Sequence, residues 1–480
     1  MPKILGLFSV EGQNENAEME LLEKSNFIGD FLHSVEKLFQ LDASKKIEKY
    51  WQNQNGKISA LNLNLTDKCN LACIYCYAKG GNYDRINKEL SAEDALKAFN
   101  SAIDCRDESR DFRVEFFGGE PLLNFEAIKQ VIEKQKQLAT HLNEKEIINR
   151  ISTNLTEINP EIIDLFSKSK MIISVSFDGT AEFQNRQRPF KDGSGSHEKI
   201  FSNLKLLREK CPDNIIVARI TVLHQEDKLY EVIEQISQTE IFDYVSLYPA
   251  ALSAQHSTEI ENKPQGNFSE TLNNEFLKIS QNYKKLLSGK RFKGILELNR
   301  FCQNILTGTA AANHCRAGAG YFTFSPDESI HPCHRLVGDP NWDLKAFSTL
   351  AGQSRNRLRD WRLPVNARAG CRECLIRFFC GGGCKQEAFI TSGSLLGHST
   401  QICSFSRLLF KSAIRICLQL DEVVEKKLVE FFRMSEKLFV FCGQPLIKLE
   451  RKEEFENPIS IRFEDQVFYL KPVKIDFSND

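Results

Sequence analysis

Residues 66–76 read Thr-Asp-Lys-Cys-Asn-Leu-Ala-Cys-Ile-Tyr-Cys and place Cys69, Cys73 and Cys76 on one short segment. A run of β-forming residues, Ser59 to Leu65, comes directly before it, so we expect the three thiols on a loop that leaves a strand. Three thiolates on one loop can ligate three irons of a cubane 4Fe-4S cluster and leave the fourth iron without a protein ligand. A zinc site is the alternative, although zinc motifs usually pair one CxxC with a second CxxC or with two histidines.

Composition limits the classes of function that the chain can have. Its 480 residues, 41% of them hydrophobic, suit roughly two or three domains with substantial cores. The 63 basic and 64 acidic residues nearly cancel, so no global field attracts nucleic acid or an anionic membrane. Without a long apolar run or a signal peptide, the chain is expected to be cytoplasmic and to bind no membrane. Fifteen cysteines in such a protein favour reduced thiolate ligands over disulfides.

Between residues 59 and 250, short β-rich runs alternate with longer amphipathic stretches, which is typical of βαβ units and a parallel sheet. The predicted strands are Ser59 to Leu65, Arg113 to Phe117, Ile147 to Thr153, Ile172 to Phe177, Ile215 to Val222 and Tyr244 to Tyr248. They predict an α/β fold, a (β/α)6 partial TIM barrel. The functional groups of such barrels lie at the C-terminal strand ends, which is where the cysteine segment falls.

Other candidate ligand contacts stand at equivalent strand ends. Strand two runs into Gly118-Gly119-Glu120-Pro121, where glycines let backbone groups approach a ligand and the carboxylate can accept from an ammonium group. Strand four ends in Ser176-Phe177-Asp178, whose two polar side chains can bond ribose hydroxyls. Strand five carries Arg219, and a barrel-facing guanidinium needs an anionic partner. Taken alone, the glycine segment could be a plain turn, the Ser176–Asp178 segment a loop closure, and Arg219 an edge residue that points into water. Because all of them lie at strand ends, we favour one shared ligand site.

The CxxxCxxC spacing, with Tyr75 just before the last cysteine, resembles the signature of the radical S-adenosylmethionine (SAM) enzymes. The resemblance implies that the open iron chelates SAM, that SAM is cleaved reductively to a 5'-deoxyadenosyl radical, and that this radical removes a hydrogen atom from the substrate. It also implies SAM contacts, which are Tyr75 near adenine, Gly118, Gly119 and Glu120 at the methionyl amino group, Ser176, Asp178 and Arg188 elsewhere on SAM, and Arg219 at the carboxylate.

Cysteines become dense again after residue 300, where Cys315 and Cys333 precede the run Cys371, Cys374, Cys380 and Cys384, and Cys403 follows. These spacings resemble the seven-cysteine SPASM domain. The resemblance implies two auxiliary clusters of the 4Fe-4S type besides the SAM-binding one. The outer one would use Cys371, Cys374, Cys380 and Cys403, and the inner one would use Cys315, Cys333 and Cys384. The inner set is one thiolate short, and either Cys302 or a substrate thiolate completes it.

Two positions depart from the family pattern. The family usually has glycine five residues before its second cysteine, and this chain has Glu328 there. Since a left-handed turn costs a glutamate about 1 kcal/mol or more, we expect a different turn. His334 stands where sulfatase maturases have an aspartate that acts as the base. A histidine can accept a proton near neutral pH, which makes His334 a candidate catalytic base; a bond to a cluster sulfide or to a backbone carbonyl is the alternative.

The predicted organisation has five parts: an N-terminal helical extension (1–58), the barrel (59–250), a linker and bridging helix (251–300), an auxiliary-cluster domain (301–420) and a C-terminal extension (421–480). The first includes an amphipathic helix at 18–40. The last is predicted to contain a helix from Glu422 to Phe432 and strands at Lys437 to Cys442, Ile459 to Phe463 and Val467 to Val473. Cys105, Cys211, Cys417 and Cys442 fit no motif and are predicted to be structural thiols.

The resemblance covers about residues 59 to 405 and is greatest to the thioether-forming (ranthipeptide) maturases, on the segments 118–125, 188–195 and 331–339. It implies a ribosomally made precursor peptide as substrate, a small electron donor such as flavodoxin or ferredoxin, and a bond from a cysteine sulfur to carbon. The alternatives are a carbon-carbon or carbon-oxygen crosslink, formylglycine formation in a sulfatase, which His334 disfavours, and a non-catalytic iron-sulfur electron carrier.

Overall fold

The computed structural model describes residues 57–138, 146–223, 228–250, 270–307, 309–347, 357–374, 376–438, 446–448, 459–463 and 466–470. The predicted helix at 18–40, the polar linker at 255–269 and Cys442 lie outside these ranges.

One eight-stranded sheet, of order β6-β5-β4-β3-β2-β1-β8-β9, organises the described residues. The barrel strands are β1 (Ala60–Asn64), β2 (Phe112–Phe117), β3 (Ile147–Thr153), β4 (Ile172–Ser176), β5 (Ile216–Val222) and β6 (Tyr244–Pro249). Neighbouring barrel strands pair in parallel, with Asn62 opposite Glu115 and Ser176 opposite Arg219. The predicted α/β fold and its barrel strands are confirmed, and every predicted boundary lies within one residue of the observed one.

Helices separate the barrel strands and cover the outer face of the sheet. They are α1 (Ala92–Asp104), α2 (Phe125–Leu138), α3 (Pro160–Ser169), α4 (Ala181–Gln187), α5 (His197–Lys210) and α6 (Leu229–Gln238). Local chemistry sets their starts: the Ser91 side chain accepts from the backbone of α1, and Asn159 does the same for α3 ahead of a proline. Apolar helix residues such as Phe99 and Val131 pack with outward strand residues such as Val114 in one core.

The sheet continues beyond β1 into the auxiliary region. Strand β8 (Tyr321–Phe324) pairs in parallel with β1, and β9 (Ile330–His331) pairs antiparallel with β8. The sequence prediction missed this extension, because the two short strands lie more than 200 residues after β1 and carry no βαβ signal. It joins the cysteine-rich region directly to the barrel.

The remaining helices form a layer beside the barrel and short elements around the later cysteines. They are α7 (Glu270–Gln281), α8 (Tyr283–Leu286), α9 (Leu296–Thr307), α10 (Arg359–Arg362), α11 (Arg377–Cys380), α12 (Lys385–Ser392), α13 (Thr400–Leu418) and α14 (Glu422–Leu438). Helix α9 packs against α13 and α14. Among the described helices, none combines the length and the apolar composition that crossing a membrane requires.

The C-terminal extension differs in part from the prediction. Helix α14 runs to Leu438, so the strand predicted from Lys437 is wrong over its first two residues, and the rest of it lies outside the described ranges. Strand β11 (Ile459–Phe463) is confirmed, and it pairs antiparallel with β12 (Gln466–Leu470). Two further short strands, β7 (Thr309–Ala311) and β10 (Leu446–Lys448), pair with each other.

Candidate functional site

Cys69, Cys73 and Cys76 lie on the loop that leaves β1, and all three side chains are half-buried. Burial raises the pKa of Cys69 to about 12, and the charges of Glu120, Cys73 and Cys76 raise it further. Burial also raises the pKa of Cys73 to about 11, against an opposing effect of Arg188. Because their charges act on one another, the three thiols form one group, called here the first cysteine group.

Each thiol of the first cysteine group faces a hydrogen-bond donor. The backbone N–H of Gly80 donates to Cys76 Sγ at 3.3 Å, and Asn154 Nδ2 donates to Cys69 Sγ at 3.8 Å. Arg188 supplies a hydrogen bond to Cys73. Donors of this kind stabilise thiolates, so they oppose, without overcoming, the burial that raises the pKa of Cys69 and Cys73.

The glycine pair after β2 shapes the cysteine loop. A Cβ on Gly119 would lie 2.2 Å from the Lys68 carbonyl oxygen, and one on Gly118, whose φ is +145°, would lie 2.6 Å from the Thr66 carbonyl oxygen. The Gly119 N–H also donates to that Thr66 oxygen at 2.7 Å. The sequence predicts that these glycines contact a ligand. In the structure, the backbone of the cysteine loop occupies the space beside them that a side chain would fill. A SAM contact there stays a prediction.

Glu120 is buried and bonded within the protein. Its Oε1 accepts from the Thr153 hydroxyl at 2.6 Å and from the Leu122 N–H at 3.1 Å, and its Oε2 accepts from the Asn154 N–H at 2.7 Å. Burial raises its pKa to about 7. Glu120 therefore ties the end of β2 to the end of β3 and, through Asn154, to Cys69. These bonds use three of the roughly four acceptor positions of a carboxylate, and its predicted contact with an ammonium group stays a prediction.

A second network surrounds Cys73. Asp178 accepts from Arg188 Nε at 2.8 Å and Nη2 at 3.1 Å, from the Thr221 N–H at 3.0 Å, and from the Tyr75 hydroxyl. The Arg188 guanidinium stands 5.1 Å from the centre of the Tyr75 ring. The structure thus brings three predicted SAM contacts together, but it bonds them to one another. These bonds position Tyr75 and Arg188 beside Cys73, and the predicted bond of Asp178 to ribose stays a prediction.

The inward face of the barrel lines a space, called here the barrel chamber. On the inward face of β2 to β6, the partly exposed residues are Phe117, Ser152, Ser176, Arg219, Thr221, Ser246 and Tyr248; Ile147 and Asn149 are partly exposed on the other face of β3. Successive side chains of a strand point to opposite faces, and strand register places the inward-facing residues on the same face. The predicted SAM contacts Ser176 and Arg219 therefore face the barrel chamber side by side.

His334 lies where the barrel meets the auxiliary region. Its Nδ1 stands 2.9 Å from the Tyr321 hydroxyl, and its ring centre lies 4.9 Å from that of Phe117. Burial, followed by the charges of Arg335 and Arg219, holds the pKa of His334 well below its usual range. The imidazole is therefore neutral, but the same lowering of its pKa makes it a weaker proton acceptor, and its role as a base stays a prediction.

The SPASM resemblance divides the seven later cysteines into an outer cysteine group (Cys371, Cys374, Cys380 and Cys403) and an inner cysteine group (Cys315, Cys333 and Cys384), and their role as cluster ligands stays a prediction. In the outer cysteine group, burial raises the pKa of Cys380 to about 12, and the charges of Cys374, Cys371 and Cys403 act on it. In the inner cysteine group, burial raises the pKa of Cys333 to about 12, and the charge of Cys384 acts on it. Cys315 acts in turn on Lys385, the residue after Cys384.

Cys302 is placed away from the inner cysteine group. It is fully buried on α9, where its Sγ lies 3.8 Å from the Ala413 carbonyl oxygen and hydrogen-bonds with Cys417, both on α13. These contacts do not favour Cys302 as the fourth ligand of the inner cluster, and the choice between Cys302 and a substrate thiolate stays open. Helix α9 packs on α13, and this contact directs the thiol between the two helices.

The turn before Cys333 keeps a left-handed residue. Glu328 has a φ of +62°, and its N–H donates to the Ser325 carbonyl oxygen at 2.8 Å. Asp327 Oδ1 holds the turn by accepting from the hydroxyls of Ser325 at 2.7 Å and Ser329 at 2.6 Å. The expectation of a different turn is wrong, because these bonds offset a strain of about 1–2 kcal/mol at Glu328.

Arg335 connects the first and inner cysteine groups, and sequence reasoning missed it. It forms a buried ion pair with Glu387, three residues after Cys384. Its guanidinium stands 5.0 Å from the ring centre of Tyr77, the residue after Cys76, and 5.4 Å from that of Tyr248. The only sequence signal is its place two residues after Cys333, since its partners come from three distant segments.

No three His, Cys, Asp or Glu side chains in the described ranges converge so as to hold one metal ion. A single zinc ion would need four such ligands around one point. A cubane takes each of its ligands on a different iron, so its thiolates stand further apart than those of one ion. A cluster on the first cysteine group stays a prediction.

Comparison with known proteins agrees with this reading of the barrel. Residues 63–236 match the family model of the radical SAM superfamily. An uncharacterised protein of Methanocaldococcus jannaschii is 31% identical over 146 residues, which are 30% of this chain and 47% of that protein. The cysteine-type anaerobic sulfatase-maturating enzyme of Clostridium novyi is 25% identical over 351 residues, 67% of this chain and 86% of the enzyme. The radical SAM cyclopropyl synthase TigE of Paramaledivibacter caminithermalis is 24% identical over 276 residues, 52% of this chain and 56% of TigE.

The chain thus spans less than two thirds of the first and third of these relatives. Among solved structures, anSMEcpe with bound AdoMet has a TM-score of 0.60 at 19% identity, covering 78% of this chain and 98% of that one. Streptococcus suis SuiB bound to its precursor peptide SuiA has a TM-score of 0.52 at 17% identity, covering 75% of this chain and 79% of that one. These likenesses show a shared fold.

Proposed function

We propose, from the radical SAM domain in residues 63–236 and from homology to anaerobic sulfatase maturases and TigE, that this protein is a radical SAM/SPASM maturase of a precursor peptide. Its product would be an intramolecular crosslink, a thioether between a cysteine sulfur and a carbon of the peptide. The observation that carries the proposal is the barrel chamber, which has the first cysteine group at one side and, through Tyr77 and Arg335, the inner cysteine group at the other.

The residues present suit three clusters. Cys69, Cys73 and Cys76 would hold the SAM-binding 4Fe-4S cluster, and the inner and outer cysteine groups would hold the two auxiliary clusters. When bound, the first cluster and SAM supply a 5'-deoxyadenosyl radical that takes a hydrogen atom from the substrate. Asp178 holds Arg188 and Tyr75 beside Cys73, and the walls of the barrel chamber exclude water from the reacting carbon.

Thioether formation has a simple balance. The peptide carbon loses one hydrogen atom to the deoxyadenosyl carbon, the cysteine thiol loses its proton, one electron leaves, and a carbon-sulfur bond forms. Neutral His334 is the candidate acceptor of the thiol proton. An auxiliary cluster is the proposed acceptor of the electron, and flavodoxin or ferredoxin is the proposed donor for SAM cleavage.

The position of Cys302 favours a thiol substrate over the other crosslinks. With Cys302 held against Cys417, the inner cysteine group offers three thiolates, and a fourth can come from the peptide. A carbon-carbon or carbon-oxygen crosslink needs no substrate thiolate, so it would leave this fourth ligand position unused. Formylglycine formation is the second candidate, because the Clostridium novyi relative is an anaerobic sulfatase-maturating enzyme.

Mass spectrometry of peptide products tests the proposal. Anaerobically reconstituted enzyme is given SAM, dithionite and the short peptides encoded beside its gene. We expect a peptide that loses two hydrogen atoms and one alkylatable thiol. Loss of two hydrogens with every thiol still alkylatable would indicate a carbon crosslink, and a hydrazide-reactive aldehyde in a sulfatase peptide would indicate formylglycine. Either result would contradict the thioether assignment.

A further inference from the structure

Arg150 and Arg335 both act on Arg219 at the barrel chamber, and each of these two arginines lies near a carboxylate. Arg150 Nε lies 4.0 Å from Glu115 Oε1, and Arg335 forms its buried ion pair with Glu387. Arg219 makes no hydrogen bond or ion pair through its side chain with any residue in the described ranges. Glu115 acts on both Arg150 and Arg219, so the three positive charges share two carboxylates, and Arg219 has no carboxylate of its own in the described ranges.

Arg219 is held in this position by the sheet. It stands opposite Ser176 on β4 and Ser246 on β6, and it faces the barrel chamber half-buried. Taking a guanidinium out of water without a partner costs several kcal/mol, so such a site favours an anion that completes it. The planar fork of arginine donors fits a carboxylate in a bidentate manner.

The charged groups around Arg219 differ from those around the first cysteine group. Burial lowers the pKa of Arg219, and the charged neighbours that act on it are Arg150, Glu115, Tyr77 and Arg335. Its own charge acts on His334. The arginine that acts on the first cysteine group is a different one, since Arg188 is the main charged influence on Cys73. Arg219 instead lies within electrostatic range of Tyr77, Arg335 and His334, and the last two of these belong to the auxiliary region.

We propose that Arg219 binds a carboxylate of the peptide substrate, the side chain of an aspartate or glutamate at the residue that enters the barrel chamber. This replaces the sequence-based expectation that Arg219 holds the SAM carboxylate. The inference rests on the proposed function and makes it more specific, because it selects acidic residues at or next to the site of hydrogen abstraction.

Deuterium transfer tests this assignment. Four probes are aspartate, glutamate, asparagine and glutamine, each deuterated in its side chain and capped with N-acetyl and N-methylamide groups. The fifth is side-chain-deuterated N-acetylalanine, whose terminal carboxylate is free. Each is incubated with reconstituted enzyme, SAM and dithionite, and deuterium in 5'-deoxyadenosine is measured. We expect the wild type to take about tenfold more deuterium from the capped acids than from their amides, and Arg219→Gln to lose this preference. Arg219→Lys should keep part of it, since it keeps the charge but not the fork.

Measuring SAM binding distinguishes the two carboxylates that Arg219 could bind, that of SAM and that of the peptide. Equilibrium dialysis with labelled SAM is run on the wild type, Arg219→Gln and the control Arg186→Gln, which changes an exposed arginine of α4. All three should bind SAM equally and hold equal iron. A loss of SAM affinity in Arg219→Gln alone would overturn the inference, as would equal transfer from acids and amides in the wild type. Preference for N-acetylalanine over the capped acids would overturn the side-chain assignment in favour of a terminal carboxylate. Wild-type enzyme that releases no 5'-deoxyadenosine would overturn the proposed function and this inference with it.

Discussion

Gly119→Ala tests whether the glycine pair shapes the cysteine loop. The added Cβ would lie 2.2 Å from the Lys68 carbonyl oxygen, 2.6 Å from its carbon and 3.1 Å from the Cys69 nitrogen. Reaching ordinary contact distance requires the loop backbone to move by about 1 Å or more. Overpacking of this kind costs about 1–3 kcal/mol, and the upper end applies because backbone, not a flexible side chain, has to move. The segment that moves carries Cys69.

We therefore expect Gly119→Ala to lose the first cluster and keep the auxiliary ones. Iron per chain after anaerobic reconstitution should fall by about one third if three 4Fe-4S clusters are present, and 5'-deoxyadenosine release should stop. Gly193→Ala is the matched control, since Gly193 has a φ of +84° and nothing within 4 Å of an added Cβ. It costs about 1–2 kcal/mol of backbone strain and should leave iron and SAM cleavage unchanged. Wild-type iron and SAM cleavage in Gly119→Ala would refute the assigned role of the glycine.

Three more substitutions address the networks around the site. Asp178→Asn leaves the Arg188 guanidinium buried without its carboxylate and should cost about 3–5 kcal/mol, seen as a lower melting temperature; an unchanged temperature would show that the pair does not form. Glu120→Gln places an amide N–H against a backbone N–H and should cost about 1–3 kcal/mol in denaturant unfolding, whereas equal stability would mean that the three accepted bonds are absent. Glu328→Gly removes the left-handed strain, about 1–2 kcal/mol, and adds about 0.5–1 kcal/mol of chain entropy, so it should stabilise the protein slightly; destabilisation would show that the turn is not left-handed.

Features that depend on local pattern could be predicted from the sequence. The barrel strands are short β-rich runs between amphipathic stretches, and all of them were located. Parallel strands bring their C-terminal ends to one edge, which is why the segment with Cys69, Gly118 and Ser176 could be expected to form one site. The grouping of the later cysteines followed from spacing that resembles a known family.

Features that depend on distant partners could not be predicted. Arg188 was expected to meet SAM, but its partner is Asp178, and no sequence pattern shows which acid an arginine will face. Cys302 lies 111 residues before Ala413, and only the packing of α9 on α13 shows that its thiol belongs between helices. Glu120 was assigned to a ligand from its motif, whereas its bonds depend on the position of Asn154 at the end of another strand.

Reductive cleavage of SAM is the most direct test of the central claim, that the first cysteine group carries an under-ligated cluster. Reconstituted, dithionite-reduced enzyme with SAM should release 5'-deoxyadenosine and methionine, and Cys73→Ala should release neither while it keeps the iron of its auxiliary clusters. Cys105→Ala, at a thiol outside all three groups, should behave as the wild type. A wild-type protein that releases no 5'-deoxyadenosine, or whose first cysteine group holds a single zinc ion, would contradict the claim.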